Sequence, residues 1–558
     1  MRVWVMALLA LTVGRALHAQ QLRGVVRDSA SGLAIPGAVV TLLDTAGALA
    51  ARTVTNERGQ FRATLLGNGV RAVRLVRLGF RPADARLPAA TNGVIIMDVV
   101  MVAIPMSLQP VSVTATSSKC PRRRDRTLAL ALLEQARAGL LATVVARSEV
   151  PAVMKRVMAT RTMDGNSTRI THQRVRIDSV DATLGSYEAA FSAPEFVRNG
   201  FVADSNGTQI YYGPDAETLL DDEFSSGYCF HVMDPNRRRP NQLGLGFRPA
   251  DRKDGRVDID GALWIDTVAR ALVDIEYRYA GMDPRLDEYD PGGQMFFREM
   301  PNGAVVIDRW SIRMVGGESD GGMAPPQPVS SPSRVPPALR RAEVWGEVAL
   351  ASWPDTTWRS SLGALRLQLR RPNGSPVSGL MIKLDDSDYQ AIADSAGIAV
   401  IPDLVPGPYE VSVADPSLAP LGITLATSLR FTSVRQQTWS AILTVPTAQE
   451  YVSDRCHRSA PRTTTGSGDG WVIARVTNPS GDPVPGLTWS LAVRMAGVER
   501  PVVVGEEAPS DGIVQYCQLH RGDDVILSFR APGMAEMSRQ LTLTKQVNVV
   551  TVEMRARR

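Results

Sequence analysis

Along most of the chain, apolar and polar residues alternate over four to eight positions and then stop at a turn residue. R-A-V-R-L-V-R-L-G-F (Arg71–Phe80) alternates in this way. That spacing predicts a half-buried strand with its arginines in solvent. G-V-V-R (Gly24–Arg27), A-V-V-T-L-L (Ala38–Leu43), Ile95–Val102 and Val111–Thr116 read as further strands. Between them lie G-L-A-I-P-G (Gly32–Gly37) and N-E-R-G-Q-F (Asn56–Phe61), where Gly59 takes the position that needs a permissive backbone. Short strands closed by turns predict an all-β sandwich over residues 20–117.

The same order recurs twice. L-R-L-Q-L-R (Leu365–Arg370) leads to G-S-P-V-S-G (Gly374–Gly379), then L-M-I-K-L, D-S-A-G-I and P-G-P-Y-E-V-S-V. W-V-I-A-R-V (Trp471–Val476) leads to G-D-P-V-P-G (Gly481–Gly486), then L-T-W-S-L, S-D-G-I and A-P-G-M. From the second turn glycine to the later one the spacing is 22, 18 and 26 residues, so strands are kept while loops drift.

The phrase of strand, G-x-[AP]-[IV]-x-G, strand, [ND]-x-x-G-x-[FV] and strand resembles the carboxypeptidase regulatory-like domain. The first copy carries G-V-V-R-D, P-G-A-V-V, T-N-E-R-G-Q-F and R-L-G-F in order, and the third lacks an aromatic after Gly512. The resemblance implies a transthyretin-like, immunoglobulin-like sandwich, grouped with carbohydrate-binding-like folds. It implies three copies, at residues 20–117, 353–446 and 447–558, whose first turns are marked by Gly32 and Gly37, Gly374 and Gly379, and Gly481 and Gly486. S-L-Q-P-V-S-V-T-A-T (Ser107–Thr116) is similar to the segment after this domain in TonB-dependent outer-membrane receptors. The chain is too short for their barrel and lacks its long alternating strands.

Residues 118–352 do not repeat. Asp125 is placed to cap a helix running to about Arg147, with Leu128, Leu132, Leu133, Ala136 and Leu140 on one face. Six strand-like runs follow, among them G-A-L-W-I-D, A-L-V-D-I-E-Y-R-Y and V-V-I-D-R-W-S-I-R-M. One helix with many antiparallel strands predicts an α+β sheet domain, and G-A-L-W-I-D-T-x-x-R-A-L-V-D-I-E-Y resembles the half-barrel of periplasmic lipoprotein carriers. Residues 316–337, rich in Gly, Pro and Ser, read as a linker. The expected fold class is mainly β: three sandwiches plus one α+β domain.

Composition adds an address. Arg2 followed by Val3–Gly14 reads as an export signal over residues 1–19, with cleavage after Ala19. No later run is expected to be long enough to cross a bilayer, so the mature chain carries no predicted transmembrane segment. Localisation is expected to be the periplasm, the outer membrane surface or beyond. Lys and Arg exceed Asp and Glu by 62 − 57 = 5 over 558 residues, too dilute for a nucleic-acid face. Cys120, Cys229, Cys456 and Cys517 are an even set for an oxidising compartment. Locality favours Cys120–Cys229 and Cys456–Cys517 among the three possible pairings.

Catalytic chemistry is hard to assemble from these residues. A zinc carboxypeptidase signature begins His-x-x-Glu, yet Val175, Asp234, Ala460 and Asp523 stand three residues after His172, His231, His457 and His520. G-S-G-D-G (Gly466–Gly470) sets its serine one place early for a nucleophile elbow, and no phosphate-binding loop appears. Asp254, Asp258 and Asp260 form a conceivable calcium site but read better as a solvated strand face. The same applies to Asp221–Glu223 and Asp385–Asp388. No cofactor is expected. The leading expectation is a non-catalytic exported binding or scaffold protein whose partner is an envelope protein or a glycan. One alternative is a carbohydrate-binding protein using Tyr409 and Trp489. Another is a periplasmic carrier with an apolar cavity between the middle sheet and its helix.

Overall fold

The computed structural model describes residues 20–65, 70–88, 94–104, 123–149, 152–180, 187, 189–205, 208–251, 255–316, 339–415, 425–447, 450, 470–495, 497–545 and 547–557. The expected signal, Ser107–Thr116, Cys120, Cys456, residues 466–469 and linker residues 317–337 lie outside them. The chain divides into two units, Met1–Ser361 and Leu362–Arg558.

In the first unit, the predicted sandwich is built from β1 (Gln20–Asp28), β2 (Val39–Asp44), β3 (Leu49–Val54), β4 (Gln60–Leu65), β5 (Val70–Val76), β6 (Ala83–Arg86) and β7 (Val94–Met101). One sheet runs β4–β1–β7 and the other β3–β2–β5–β6. Every pairing is antiparallel except β1 with β7. Alternation decides the faces: along β7, Ile95, Met97, Val99 and Met101 are buried while Ile96, Asp98 and Val100 are exposed.

The body follows as α1 (Arg123–Glu149), β8 (Val153–Met163), β9 (Ile170–Val180), α2 (Ala193–Asn199), β10 (Val202–Ser205) and β11 (Thr208–Tyr211). It continues through α3 (Ala216–Leu220), α4 (Asp222–Gly227), β12 (Tyr228–Val232), β13 (Gln242–Pro249), β14 (Asp258–Asp266) and β15 (Ala271–Ala280). The last strands are β16 (Gly292–Glu299), β17 (Val305–Gly316), β18 (Arg340–Ser352) and β19 (Thr357–Arg359). Ten strands form one antiparallel sheet in the order β12–β13–β14–β15–β16–β17–β18–β8–β9, with β19 beside β18. Strands β10, β12, β13, β16, β18 and β19 escaped the sequence reading. In β13 and β16 glycines interrupt the apolar pattern, and neighbouring side chains fill the space of their missing Cβ atoms. A Cβ on Gly246 would stand 2.4 Å from the His231 ring, and one on Gly293 2.3 Å from the Tyr277 hydroxyl.

Helix α1 begins two residues before Asp125, which therefore lies within its first turn and not at the N-cap position. Leu132, Leu133, Ala136 and Leu140 are buried as expected, while Leu128 is 38% exposed. The segment Thr127–Glu149 is long and apolar enough to cross a membrane by length and composition, contrary to the expectation for this part of the chain. Here it packs on β12, β15 and β17 and on β2 and β3 of the sandwich. A helix covered on two sides needs apolar residues on both, which explains its composition.

The second unit holds two more sandwiches. β20 (Gly363–Arg370), β21 (Met381–Leu384), β22 (Gln390–Ile392), β23 (Ile398–Leu404), β24 (Gly407–Ala414), β25 (Leu425–Ser433) and β26 (Thr438–Thr444) make one. β27 (Gly470–Thr477), β28 (Thr488–Met495), β29 (Val498–Glu507), β30 (Ile513–Leu519), β31 (Asp524–Arg530), β32 (Met537–Thr542) and β33 (Val547–Glu553) make the other. Their sheets run β23–β20–β26 with β22–β21–β24–β25, and β30–β27–β33 with β29–β28–β31–β32. This is the strand order of the first sandwich. In each, the last strand runs parallel to the first.

The repeated glycine phrase has one structural role in all three sandwiches. Gly32, Gly37, Gly374, Gly379, Gly481 and Gly486 have positive φ, and the apolar residue between each pair (Ile35, Val377, Val484) is buried. The later glycines, Gly59, Gly397 and Gly512, accept a hydrogen bond from Val26, Leu369 and Val476 at 2.8, 2.7 and 2.9 Å. A Cβ on Gly397 would stand 2.6 Å from the Leu369 carbonyl oxygen, whereas one on Gly374 would meet nothing within 4 Å. Gly374→Ala is therefore expected to cost about 1 kcal/mol, the left-handed backbone alone. Gly397→Ala adds a backbone clash and should cost on the order of 3 kcal/mol. Calorimetric unfolding of the two variants would check the order.

Candidate functional site

The best-built polar feature of the first unit is the junction between its sandwich and its body. The turn after β5 carries Arg77-Leu78-Gly79-Phe80 straight into it. Arg77 is 7% exposed, not in solvent as its alternating stretch implied. That pattern places alternate residues on opposite faces of a strand, but Arg77 lies just past the end of β5. Its Nε donates to the Pro36 carbonyl oxygen at 2.8 Å, inside the first glycine turn. Nη2 donates to Glu299 Oε2 at 2.7 Å at the end of β16, and Nη1 to the Arg270 carbonyl oxygen at 3.3 Å between β14 and β15. Burial lowers the proton affinity of the guanidinium and the Glu299 carboxylate opposes that shift.

Apolar and backbone contacts close the rest. Leu78 is fully buried in the body's core with Ala136, Leu140 and Leu272. Gly139 of α1 makes room for it: a Cβ there would stand 3.1 Å from Leu78 Cδ1. The Gly79 amide donates to Gln135 Oε1 at 2.7 Å, and the Arg270 guanidinium lies 4.9 Å over the Phe80 ring. A Cβ on Gly303 would stand 2.2 Å from the Thr55 carbonyl oxygen, so the β16–β17 turn sits directly against the sandwich. None of these body residues carries a sequence signal. Glu299, Gln135, Arg270 and Gly303 meet the sandwich only through the fold.

The residues singled out from sequence are scattered. Tyr409 and Trp489 are buried in separate sandwich cores, and the Tyr409 hydroxyl donates to the Val405 carbonyl oxygen at 3.0 Å. Cys229 and Cys517 are not free thiols. Asp258 is buried against Arg256 at 2.7 Å, and Asp254 lies outside the described residues. Asp221 caps α4, Asp222 pairs with Arg137 at 2.7 Å, and Asp385 accepts from Ser412 Oγ at 2.7 Å. Among the described residues, no group of three or more His, Cys, Asp or Glu could hold a metal ion. Buried charges elsewhere in the body are likewise tied up in pairs. Arg239 bridges to Asp274 at 2.7 Å while stacking 4.5 Å over Trp264.

With this strand order and first turn established, the comparison with known families is direct. Residues 21–102 match the family model of the carboxypeptidase regulatory-like domain. The matched stretch is the first sandwich, and it is the regulatory-like domain that carries Arg77 into the junction. No curated protein matches the chain. Among solved structures, the Bacillus anthracis TIE protein aligns at 10% identity and a TM-score of 0.15, over 62% of this chain. The chain spans 63% of that protein's length. A Streptococcal ancillary pilin aligns at 15% identity and a TM-score of 0.14, over 48% of this chain and 81% of its own. BcpA, the major pilin subunit of Bacillus cereus, aligns at 9% identity and a TM-score of 0.12, over 76% and 99%. At these values none of the three carries a functional argument.

Removing one partner of a buried ion pair leaves the other charge uncompensated. Glu299→Gln is expected to destabilise the first unit by on the order of 3 kcal/mol. Glu410→Gln, which breaks the exposed pair with Arg430, should cost about 0–1 kcal/mol. Chemical denaturation of each variant beside the parent chain gives the comparison.

Proposed function

We propose that the chain is a non-catalytic, exported scaffold or binding protein of the cell envelope, in which a regulatory-like domain is joined rigidly to an α+β body. The observation that carries the reading is the Arg77 junction. It uses the domain's first turn, a loop feature all three sandwiches share, as a fastening to the body. In the other two sandwiches a Cβ on Gly379 would meet nothing within 4 Å, and one on Gly486 only Pro532.

Two further features support a scaffold over the alternatives. The space between α1 and the sheet is taken by one contiguous cluster that includes Leu133, Leu140, Leu245, Phe247, Ile275, Met295 and Trp310. That weighs against a carrier of an apolar ligand, which needs room there. The burial of Tyr409 and Trp489 weighs against a sugar-stacking platform at those rings.

Purified protein should show no turnover of peptide, ester or glycoside substrates, with or without a chelator; turnover abolished by metal removal would sink the reading. Fractionation should find the chain outside the cytoplasm, beginning at Gln20. Non-reducing peptide mapping should recover Cys120 linked to Cys229 and Cys456 to Cys517. A free thiol at any of the four would contradict the oxidising address.

A further inference from the structure

The outer face of the sheet β4–β1–β7, in the regulatory-like domain, sets cations beside exposed aliphatic side chains. Its register places Arg62, Arg23 and Ile96 in one row across the three strands. Gln60, Val25 and Asp98 form the next row, and Arg27 stands beside Val100 beyond it. Arg23, Arg27 and Arg62 are exposed, as are Ile96 at 73% and Val100 at 57%. The body's helix α1 packs on β2 and β3 of the opposite sheet.

Charge on this face is one-sided. Arg23 and Arg62 stand directly opposite each other across an antiparallel pair, where like charges are destabilising. Arg23 donates to Gln21 Oε1 at 2.7 Å and Arg27 to the Gly32 carbonyl oxygen at 3.3 Å. Asp98 is the carboxylate of the face, and Arg23 and Arg27 lie two residues either side of its partner Val25. The charges at its margin are engaged locally: Glu57 with Arg58 at 3.8 Å, and Asp28 with the Ala30 amide and the Ser31 hydroxyl. Three guanidinium groups thus share one carboxylate. The shared strand order does not require this. Counted from the common hydrogen-bond donors Val26, Leu369 and Val476, the equivalents of Arg62–Arg23–Ile96 are Val400–Arg366–Ser440 and Gln515–Ile473–Val549. Neither of those rows opposes two cations.

We propose that this face docks on an anionic phospholipid surface, with Arg23, Arg27 and Arg62 at the phosphates and Ile96 and Val100 entering between the headgroups. The excess of cations calls for an anionic partner. Arg23 and Arg27 are four residues apart on one strand, about 13 Å, too far to share one small anion. A plane of repeating phosphates meets all three guanidinium groups at once. It also takes up aliphatic side chains that stand out of the same sheet, which a purely ionic partner would leave in water. This goes beyond the scaffold reading and does not depend on it.

Co-sedimentation of the chain from Gln20 onward with phosphatidylcholine vesicles, with and without phosphatidylglycerol, tests it. Starting at Gln20 leaves out the apolar run Val3–Gly14, which would bind lipid by itself. Binding to the mixed vesicles, absent with phosphatidylcholine alone and falling as salt is raised, is the expected result. Arg62→Gln should weaken it about fivefold, the share of one cation near an anionic surface. The same variant should not lower the unfolding midpoint, because it removes a like-charge pair. Arg23→Gln gives a second reading of the same contact, and Ile96→Ser should weaken binding through the apolar side. No binding to the mixed vesicles, equal binding to both kinds, or binding untouched by Arg62→Gln or Ile96→Ser would overturn the proposal. So would capture by soluble polyglutamate with none by vesicles, which would mark an acidic polypeptide as the partner.

Discussion

A guanidinium group can be buried only where acceptors already stand around it. Arg77 meets this constraint with acceptors from two parts of the chain: Pro36 from its own domain, and Arg270 and Glu299 from the body. The three are met together only when the first turn, the β14–β15 connection and the end of β16 converge on one guanidinium. The hydrogen bonds therefore select one geometry, while the burial of Leu78 supplies apolar contact area. Helix α1 depends on the same arrangement. Its two-sided apolar surface would be a liability without the sandwich on one side and the sheet on the other.

The sandwiches of the second unit repeat the strand order and the glycine geometry. The later turn makes the same backbone hydrogen bond each time, from Val26, Leu369 or Val476 to the carbonyl oxygen of Gly59, Gly397 or Gly512. What differs is use. In the regulatory-like domain the turn is covered by the Arg77 side chain and by Gly303, and in the other two it is not covered in this way. A shared backbone with divergent loop use is expected where a sandwich core sets the frame and function sits in what the loops meet.

The body spends most of its buried charge on itself. Arg239 with Asp274 and Arg256 with Asp258 close within it, while Glu299 is given to Arg77 of the sandwich. The sheet that carries these pairs joins strands whose order in the sheet departs from their order in the chain, since β8 and β9 follow β18.

Local pattern was enough for the sandwiches. Period-two alternation and turn glycines act within a few residues, so strands, turns and the mainly β class could be read from the chain itself. The apolar face of α1 was legible for the same reason, although Leu128 and the position of Asp125 were not. Tertiary structure decided the fate of charges. Arg74 and Arg77 stand three residues apart in one alternating stretch, yet Arg74 pairs with Asp84 at the surface and Arg77 is sealed in a junction. Only distant partners distinguish them, and no local pattern encodes a partner 222 residues away. The same holds for β16, whose glycines look like breaks until Tyr277 is seen to fill their space. What the sequence by itself determined was where the backbone turns and which faces are apolar, because those follow from neighbours along the chain. Which charges are buried, and against what, follows from neighbours across it.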